Sequence, residues 1–209
     1  MSITKKLEFP VKHYLDLAGT FVFAISGVRL AAEKKMDVFG AVVIAIATAI
    51  GGGTIRDLLL GSTPVAWMQN TVYLYVIIAA VTLGILFDRF IFELKNTLLI
   101  FDSIGLGVFT IAGMQKAFEF GLSTEYAIIL GITTATAGGI LRDVLANEVP
   151  VILRKEIYAT ACLAGALAFL SFQYLGLAEI FNTILTILII VIIRTVAVKF
   201  NISFPKIKA

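Results

Sequence analysis

The sequence is poor in the residues that build most catalytic and metal centres. It holds one cysteine, Cys162, and one histidine, His13, among 209 residues. A single cysteine excludes an intramolecular disulfide and a multi-cysteine metal site. One histidine cannot supply a metal cluster, and neither a Ser-His-Asp set nor a phosphate-binding loop can be assembled. We therefore expect no enzyme, and no cofactor or metal beyond a transient monovalent cation.

Charge is also scarce. Charged residues make up 15% of the chain and hydrophobic residues 59%, and the mean hydropathy is +0.99. This balance lies outside the range of soluble domains and predicts an all-α integral membrane protein. Apolar windows close to the ~20 residues of a membrane-spanning helix predict seven transmembrane helices. The predicted spans lie at about 14–32, 38–61, 71–87, 97–117, 126–146, 157–175 and 180–198.

The distribution of lysine and arginine predicts the orientation of the chain. With seven spans, twelve of these cations fall on the side of the C-terminus and five on the side of the N-terminus. The positive-inside rule therefore places the C-terminus in the cytoplasm and the N-terminus outside, in a multi-pass protein of the cell inner membrane. The net charge of +3 reflects these loops. We expect no nucleic-acid partner.

The sequence repeats itself after 86 residues. DLAGTFVFAISG, from Asp16, aligns with DSIGLGVFTIAG, from Asp102, and ATAIGGGTIRDLL, from Ala47, aligns with TTATAGGILRDVL, from Thr133. No gap is needed between Asp16 and Pro64, and 18 of these 49 positions are identical. Shared apolar composition alone would not align the polar residues. The chain therefore contains two copies of one unit.

Each copy holds three predicted spans, so the second copy enters the membrane from the side opposite to the first. We predict a single transmembrane domain over 1–209, with inverted three-helix repeats at about 14–87 and 97–175 and a seventh helix at about 180–198. Inverted repeats with interrupted helices are typical of proteins that move small solutes. A channel and a carrier of a small zwitterion such as glycine both fit this layout.

Glycines in the second and fifth spans mark the predicted pathway. Gly51, Gly52 and Gly53 align with Ala137, Gly138 and Gly139. We predict that both helices are kinked and interrupted there, which would turn backbone carbonyls toward a cavity. The alternative is that these glycines let helices pack closely. The hydroxyls of Thr48 and Thr134 are candidate ion ligands, although such hydroxyls commonly bond to their own helix.

Six charged residues in the spans are candidates for pore or gating roles. They are Asp16, Arg56, Asp57, Asp102, Arg142 and Asp143. Charges in a membrane require compensation. Because neighbouring residues on a helix point about 100° apart, we expect each arginine to pair with an aspartate of another span: Arg56 with Asp16, and Arg142 with Asp102. Asp57 and Asp143 are then left to face the water path. The alternative is that all six form structural ion pairs or interact with head groups.

Two further groups are judged less important. Trp67, Tyr73, Tyr75 and Tyr158 are interpreted as anchors in the head-group region. Arg194, in the seventh span, is a lone arginine that carries too little charge to indicate a voltage sensor.

Seven spans in two inverted repeats, with GGGTIRD in the second span and AGGILRD in the fifth, resemble the prokaryotic trimeric intracellular cation (TRIC) channels. Bacterial members of that family overlap proteins described as glycine transporters. The resemblance implies a homotrimer in membrane lipid, with one potassium pathway per subunit lined by the second and fifth helices. The lipid-binding Lys-Glu-Val motif of the eukaryotic members has no equivalent in the stretch TLLIFDSIG.

Overall fold

The computed structural model describes residues 3–87, 97–154 and 157–202, with side chains from His13 onward. These residues form helices joined by turns. The helices are α1 Ile3–Glu33, α2 Val38–Leu59, α3 Ala66–Gln69, α4 Val72–Leu86, α5 Thr97–Glu119, α6 Thr124–Leu145, α7 Val151–Arg154, α8 Ala159–Tyr174 and α9 Glu179–Lys199. Several cations behind the predicted orientation lie outside the described residues or side chains, namely Lys5, Lys6, Lys12, Arg89, Lys95, Lys155, Lys206 and Lys208.

Each predicted span corresponds to one of the seven longer helices among the described residues. Apart from the start of α1, the observed ends lie within two residues of the predicted ones. Within the described residues, α1 from His13, α2, α5, α6 and α9 are long and apolar enough to cross a membrane. The helices α4 and α8 have 15 and 16 residues, fewer than the ~20 of a full span. They are the third long helices of the two predicted repeats, so the two halves share this shortening.

Helix α5 lies at the centre of the molecule. It contacts α1, α6, α8 and α9, and more than half of its residues are buried. Its glycines allow this central position, because a Cβ atom at Gly107 would come within 3.1 Å of the backbone of Ile187 in α9. Helix α9 instead leaves large apolar side chains such as Ile184, Leu188 and Ile192 exposed, which is the surface expected toward lipid or another apolar partner.

The two halves make matching contacts. A Cβ atom at Gly19 would meet the ring of Phe109, and one at Gly105, 86 residues later, would meet the ring of Phe23. The phenylalanines themselves are 86 residues apart, and their ring centroids lie 5.1 Å from each other. The repeat seen in the sequence thus reappears as a repeat of packing contacts at the centre of the bundle.

The glycines of α2 and α6 lie where these two helices cross. A Cβ atom at Gly52 would lie 2.1 Å from the carbonyl oxygen of Thr134, and one at Gly138 would lie 2.4 Å from that of Thr48. Both helices are continuous through their glycines, from Val38 to Leu59 and from Thr124 to Leu145. The predicted interruptions are therefore wrong, whereas a kink of either helix without a break stays a prediction. The glycines allow two backbones to touch, as the packing alternative held.

Candidate functional site: two buried aspartate and arginine clusters

The first cluster, called here the Asp16 cluster, consists of Asp16, Arg56, Asp57 and Tyr73. The guanidinium of Arg56 donates to both carboxylate oxygens of Asp16, with Nη1 3.1 Å from Oδ1 and Nη2 3.4 Å from Oδ2. The hydroxyl of Tyr73 donates to Asp16 Oδ2 at 3.0 Å. Arg56 is buried and the Asp16 side chain is 15% exposed. The pair links α1 to α2, and the predicted pairing of Arg56 with Asp16 is confirmed.

Asp57 has a structural position. Its Oδ1 accepts a hydrogen bond from Arg56 Nε at 2.9 Å, and its Oδ2 accepts one from the backbone N–H of Ala66, the first residue of α3, at 2.8 Å. The Asp57 side chain is buried, and each of its carboxylate oxygens accepts one hydrogen bond. Two expectations were wrong: Asp57 does not face a water path, and it does pair with its neighbour. The long arginine side chain reaches both aspartates because Nε and the terminal nitrogens point in different directions.

The second cluster, the Asp102 cluster, repeats this arrangement. Arg142 Nη1 lies 2.7 Å from Asp102 Oδ1, and Arg142 Nε lies 2.9 Å from Asp143 Oδ1. Asp143 Oδ2 accepts from the backbone N–H of Val151, the first residue of α7, at 2.9 Å. Asp143 is thus buried like Asp57, and the expectation that it faces water was also wrong.

Arg194 completes the Asp102 cluster, together with Tyr158 and Ser26. Arg194 Nη2 donates to Asp102 Oδ2 at 3.2 Å, and its guanidinium carbon lies 4.5 Å from the centroid of the Tyr158 ring. The Ser26 hydroxyl accepts from Arg142 Nη1 at 2.5 Å. In the sequence Arg194 is a lone arginine, because α9 has no counterpart in the first repeat and no internal alignment points to it.

The two tyrosines of the clusters were misassigned to the head-group region. Tyr73 and Tyr158 are buried, and the Tyr158 hydroxyl lies 3.3 Å from Asp102 Oδ1. They are separated by 85 residues, whereas the repeat offset is 86. The second copy has one residue fewer after Pro150. The backbone N–H groups of Ala66 and Val151, which donate to Asp57 and Asp143, show the same spacing of 85 residues. Continuing the alignment past the prolines with one gap would have found the pair.

The other two expected anchors differ from each other. Tyr75 is 68% exposed, and Trp67 is partly buried with its Nε1–H donating to the hydroxyl of Thr54 at 3.1 Å. The hydroxyls of Thr48 and Thr134 donate to carbonyls of their own helices, those of Ile44 and Leu130, both at 2.6 Å.

A cavity opens beside each cluster. The first has a volume of about 400 Å³ and is lined by Asp16 and Arg56 together with the C-terminal end of α5, including Gln115 and Glu119. The second has a volume of about 260 Å³ and is lined by Asp102, Arg142 and Arg194 together with the N-terminal end of α5. Because they lie at opposite ends of α5, the cavities approach the centre of the bundle from opposite sides.

The region between the two clusters is closely packed. Phe23, Thr48 and Thr134 are fully buried there, and the backbones of α2 and α6 touch at Gly52 and Gly138. The two polar cavities are thus separated by the α2–α6 crossing and by the tilted pair of Phe23 and Phe109.

Comparisons with known proteins identify the family. A family model described as "Glycine transporter" matches residues 13–89 and 99–174. A UPF0126 membrane protein of Vibrio cholerae is 43% identical over 207 residues, covering 95% of this chain and 84% of the relative. The UPF0126 inner membrane protein YadS of Escherichia coli is 40% identical over 199 residues, covering 92% of this chain and 94% of the relative.

A crystal structure of the TRIC trimeric intracellular cation channel orthologue from Rhodobacter sphaeroides superimposes with a TM-score of 0.81 at 36% identity, covering 92% of this chain and 99% of that one. The chain belongs to the family of prokaryotic TRIC channels and UPF0126 membrane proteins. Within this family the model described as a glycine transporter matches the chain twice. The two matches begin 86 residues apart and span 77 and 76 residues. The second match is one residue shorter, which agrees with the spacing of 85 residues between Tyr73 and Tyr158.

Proposed function

We propose that the protein is a homotrimeric potassium channel of the cell inner membrane, with one pore in each subunit. The Rhodobacter sphaeroides relative, of similar fold over nearly its whole length, is a trimeric intracellular cation channel. We further propose that seven helices span the membrane, with the N-terminus outside and the C-terminus in the cytoplasm. The orientation follows from the positive-inside rule.

The observation that carries this proposal is the pair of cavities that end at related charged clusters. A channel requires a hydrated route from each side of the membrane and groups that replace ion hydration along it. The cavities supply the beginnings of such a route, and the Asp16 and Asp102 carboxylates lie at their inner walls. The proposed pore joins them between α2 and α6. This requires the two helices to separate or bend at their glycines, so the conformation described here is a closed one.

Transport of a small zwitterion is the second candidate. It is favoured by the description of the family model and by the mixed charge of the first cavity, where Asp16 and Glu119 face the space together with Arg56 and Lys116. Such a site matches an ammonium and a carboxylate at once. A carrier would alternate access to this site between the two sides of the membrane, whereas a channel would open both sides together.

Electrical recording distinguishes the two candidates. Purified protein in a planar bilayer with a potassium chloride gradient is expected to give unitary currents that reverse near the potassium equilibrium potential. Protein-free bilayers made with the same detergent are the control, and replacement of potassium by sodium measures selectivity. Saturable uptake of labelled glycine into proteoliposomes, with no unitary current in the bilayer, would reject the channel and favour the carrier.

The trimer has its own test. Native mass spectrometry of the detergent-solubilised protein is expected to give three times the chain mass of 22.6 kDa, with bound lipid as satellite peaks. Exposed apolar side chains, those of α4 and α9 among them, are available for contact with lipid and with neighbouring subunits. A protein that stays monomeric at all detergent concentrations compatible with folding would contradict the proposed assembly.

A further inference from the structure

The two clusters are similar in geometry but differ in charge. In the Asp16 cluster, two aspartates face one arginine, Arg56, which leaves one net negative charge. In the Asp102 cluster, two aspartates face two arginines, Arg142 and Arg194, which leaves none. Arginine stays protonated in proteins, so this difference does not vanish by titration of the guanidinium groups. The seventh long helix, α9, creates the asymmetry.

The remaining ionic side chains that line the two cavities do not cancel this difference. Besides His13, which is counted as neutral, the described lining of the first cavity adds one cation and one anion, Lys116 and Glu119. The second also adds one of each, Arg29 and Glu33, which form an ion pair at 2.9 Å. Among the described residues of the two clusters and cavity walls, the difference of one unit charge is therefore set by Arg194.

Arg194 also occupies space that is open at the other end. Its guanidinium covers Asp102 Oδ2, and the Asp102 side chain is 3% exposed. At the related position in the first repeat, Asp16 is 15% exposed and faces the larger cavity. Ser26, which contacts Arg142, is aligned with Ala112, a residue of the first cavity wall. A cation approaching Asp16 meets a partly open carboxylate, whereas one approaching Asp102 meets a cation already in place.

We propose that Arg194 is a fixed cation that determines the direction in which potassium moves most easily through this channel. This inference rests on the proposed channel function. The guanidinium neutralises the Asp102 end, so potassium is concentrated at the Asp16 end only. A unit charge about 7 Å from an ion in water changes the local ion concentration by about 3-fold. Single-channel current is therefore expected to differ up to about 3-fold between equal voltages of opposite sign.

Two substitutions should remove this rectification in opposite ways. Arg194→Gln gives both clusters one net negative charge, so the current ratio should approach one while conductance rises. Asp16→Asn leaves both clusters without net charge, so the ratio should also approach one while conductance falls. Both effects should shrink between about 0.1 M and 1 M potassium chloride, because the Debye length falls from ~10 Å to ~3 Å. A purely structural role for Arg194 predicts no such salt dependence.

Lys199→Gln is the matched control. Lys199 is an exposed cation in the last turn of the same helix, and its removal changes the net charge by the same amount without touching the cluster. Lys199→Gln is expected to keep the wild-type ratio of currents at opposite voltages. Arg194→Lys is expected to keep it too, because lysine retains the positive charge. If Arg194→Gln fails to fold, Asp16→Asn and Arg194→Lys still decide the question.

The outcomes separate this inference from the channel function. A wild-type protein without unitary current refutes both. Wild-type currents of equal size in the two directions refute the inference alone. The inference is also refuted if neither Arg194→Gln nor Asp16→Asn changes the ratio of currents at opposite voltages. It is refuted as well if Lys199→Gln shifts that ratio as far as Arg194→Gln does.

Discussion

Gly52→Ala is expected to destabilise the protein strongly. The added methyl group would lie 2.1 Å from the carbonyl oxygen of Thr134, a backbone atom that cannot turn away as a side chain can. Overpacking of a well-packed core costs about 1–3 kcal/mol, and we expect the upper end of that range here. For a chain of about 200 residues this lowers the unfolding temperature by about 10 °C. Thermal unfolding in detergent, followed by size-exclusion chromatography, measures the shift.

Gly53→Ala is the control for this prediction. The nearest atom to its new methyl group would be Arg56 Nη2 at 3.7 Å, an ordinary van der Waals distance. Alanine also favours the helix over glycine by about 1 kcal/mol, so this variant should unfold at or slightly above the wild-type temperature. Equal effects at Gly52 and Gly53 would contradict the interpretation of Gly52 as the point of backbone contact.

Arg142→Gln is expected to cost the protein most of its stability. The side chain is fully buried, and its loss leaves Asp143 with no ionic partner among the described residues and Asp102 with Arg194 alone. Breaking a buried ion pair by removing one partner costs about 3–5 kcal/mol because the other charge remains buried. The yield of folded protein and the unfolding temperature report the effect.

The double variant Arg142→Gln with Asp143→Asn should recover part of the loss. It removes the orphaned charge, and the amide oxygen of asparagine still accepts the backbone N–H of Val151. If the single variant unfolds at the wild-type temperature, or the double variant recovers nothing, the Asp102 cluster does not stabilise the fold through ion pairing.

Arg154→Gln shows what an exposed arginine contributes by comparison. Arg154 bonds to Glu148, which also accepts from Lys34. The hydrogen bond from Lys34, followed by that from Arg154, lowers the pKa of the Glu148 carboxyl below its ordinary value. Such surface pairs are screened by water and salt, so this substitution should leave the unfolding temperature almost unchanged.

Much of the fold could be predicted because the bilayer imposes simple requirements on length and polarity. Helix ends followed from where apolar windows stop. The pairing of Asp16 with Arg56 followed from their positions near the same end of neighbouring spans, and the repeat extended it to Asp102 and Arg142. The same logic failed for Tyr73 and Tyr158. Residue type favoured the head-group region, whereas their hydroxyls bond to the carboxylates of Asp16 and Asp102 between the helices.

The glycines and Arg194 show where a single sequence is ambiguous. A glycine triplet permits a break and a close crossing equally well, and only the position of the opposite helix decides between them. The packing of Gly52 on Thr134 depends on two segments separated by about eighty residues. Arg194 lies in a helix outside the repeat, so its contact with Asp102 depends on how α9 packs against α5. Periodicity within one helix carries no signal for either contact.

The direct backbone contact between α2 and α6 also determines how fast these two helices can move apart. Side chains rotate within picoseconds to nanoseconds, but Gly52 and Gly138 have none to rotate. Widening that contact requires α2 and α6 to separate or bend at their glycines, a collective motion of microseconds to milliseconds. Any event that depends on it should therefore occur in microseconds to milliseconds, far more slowly than the rotation of a side chain.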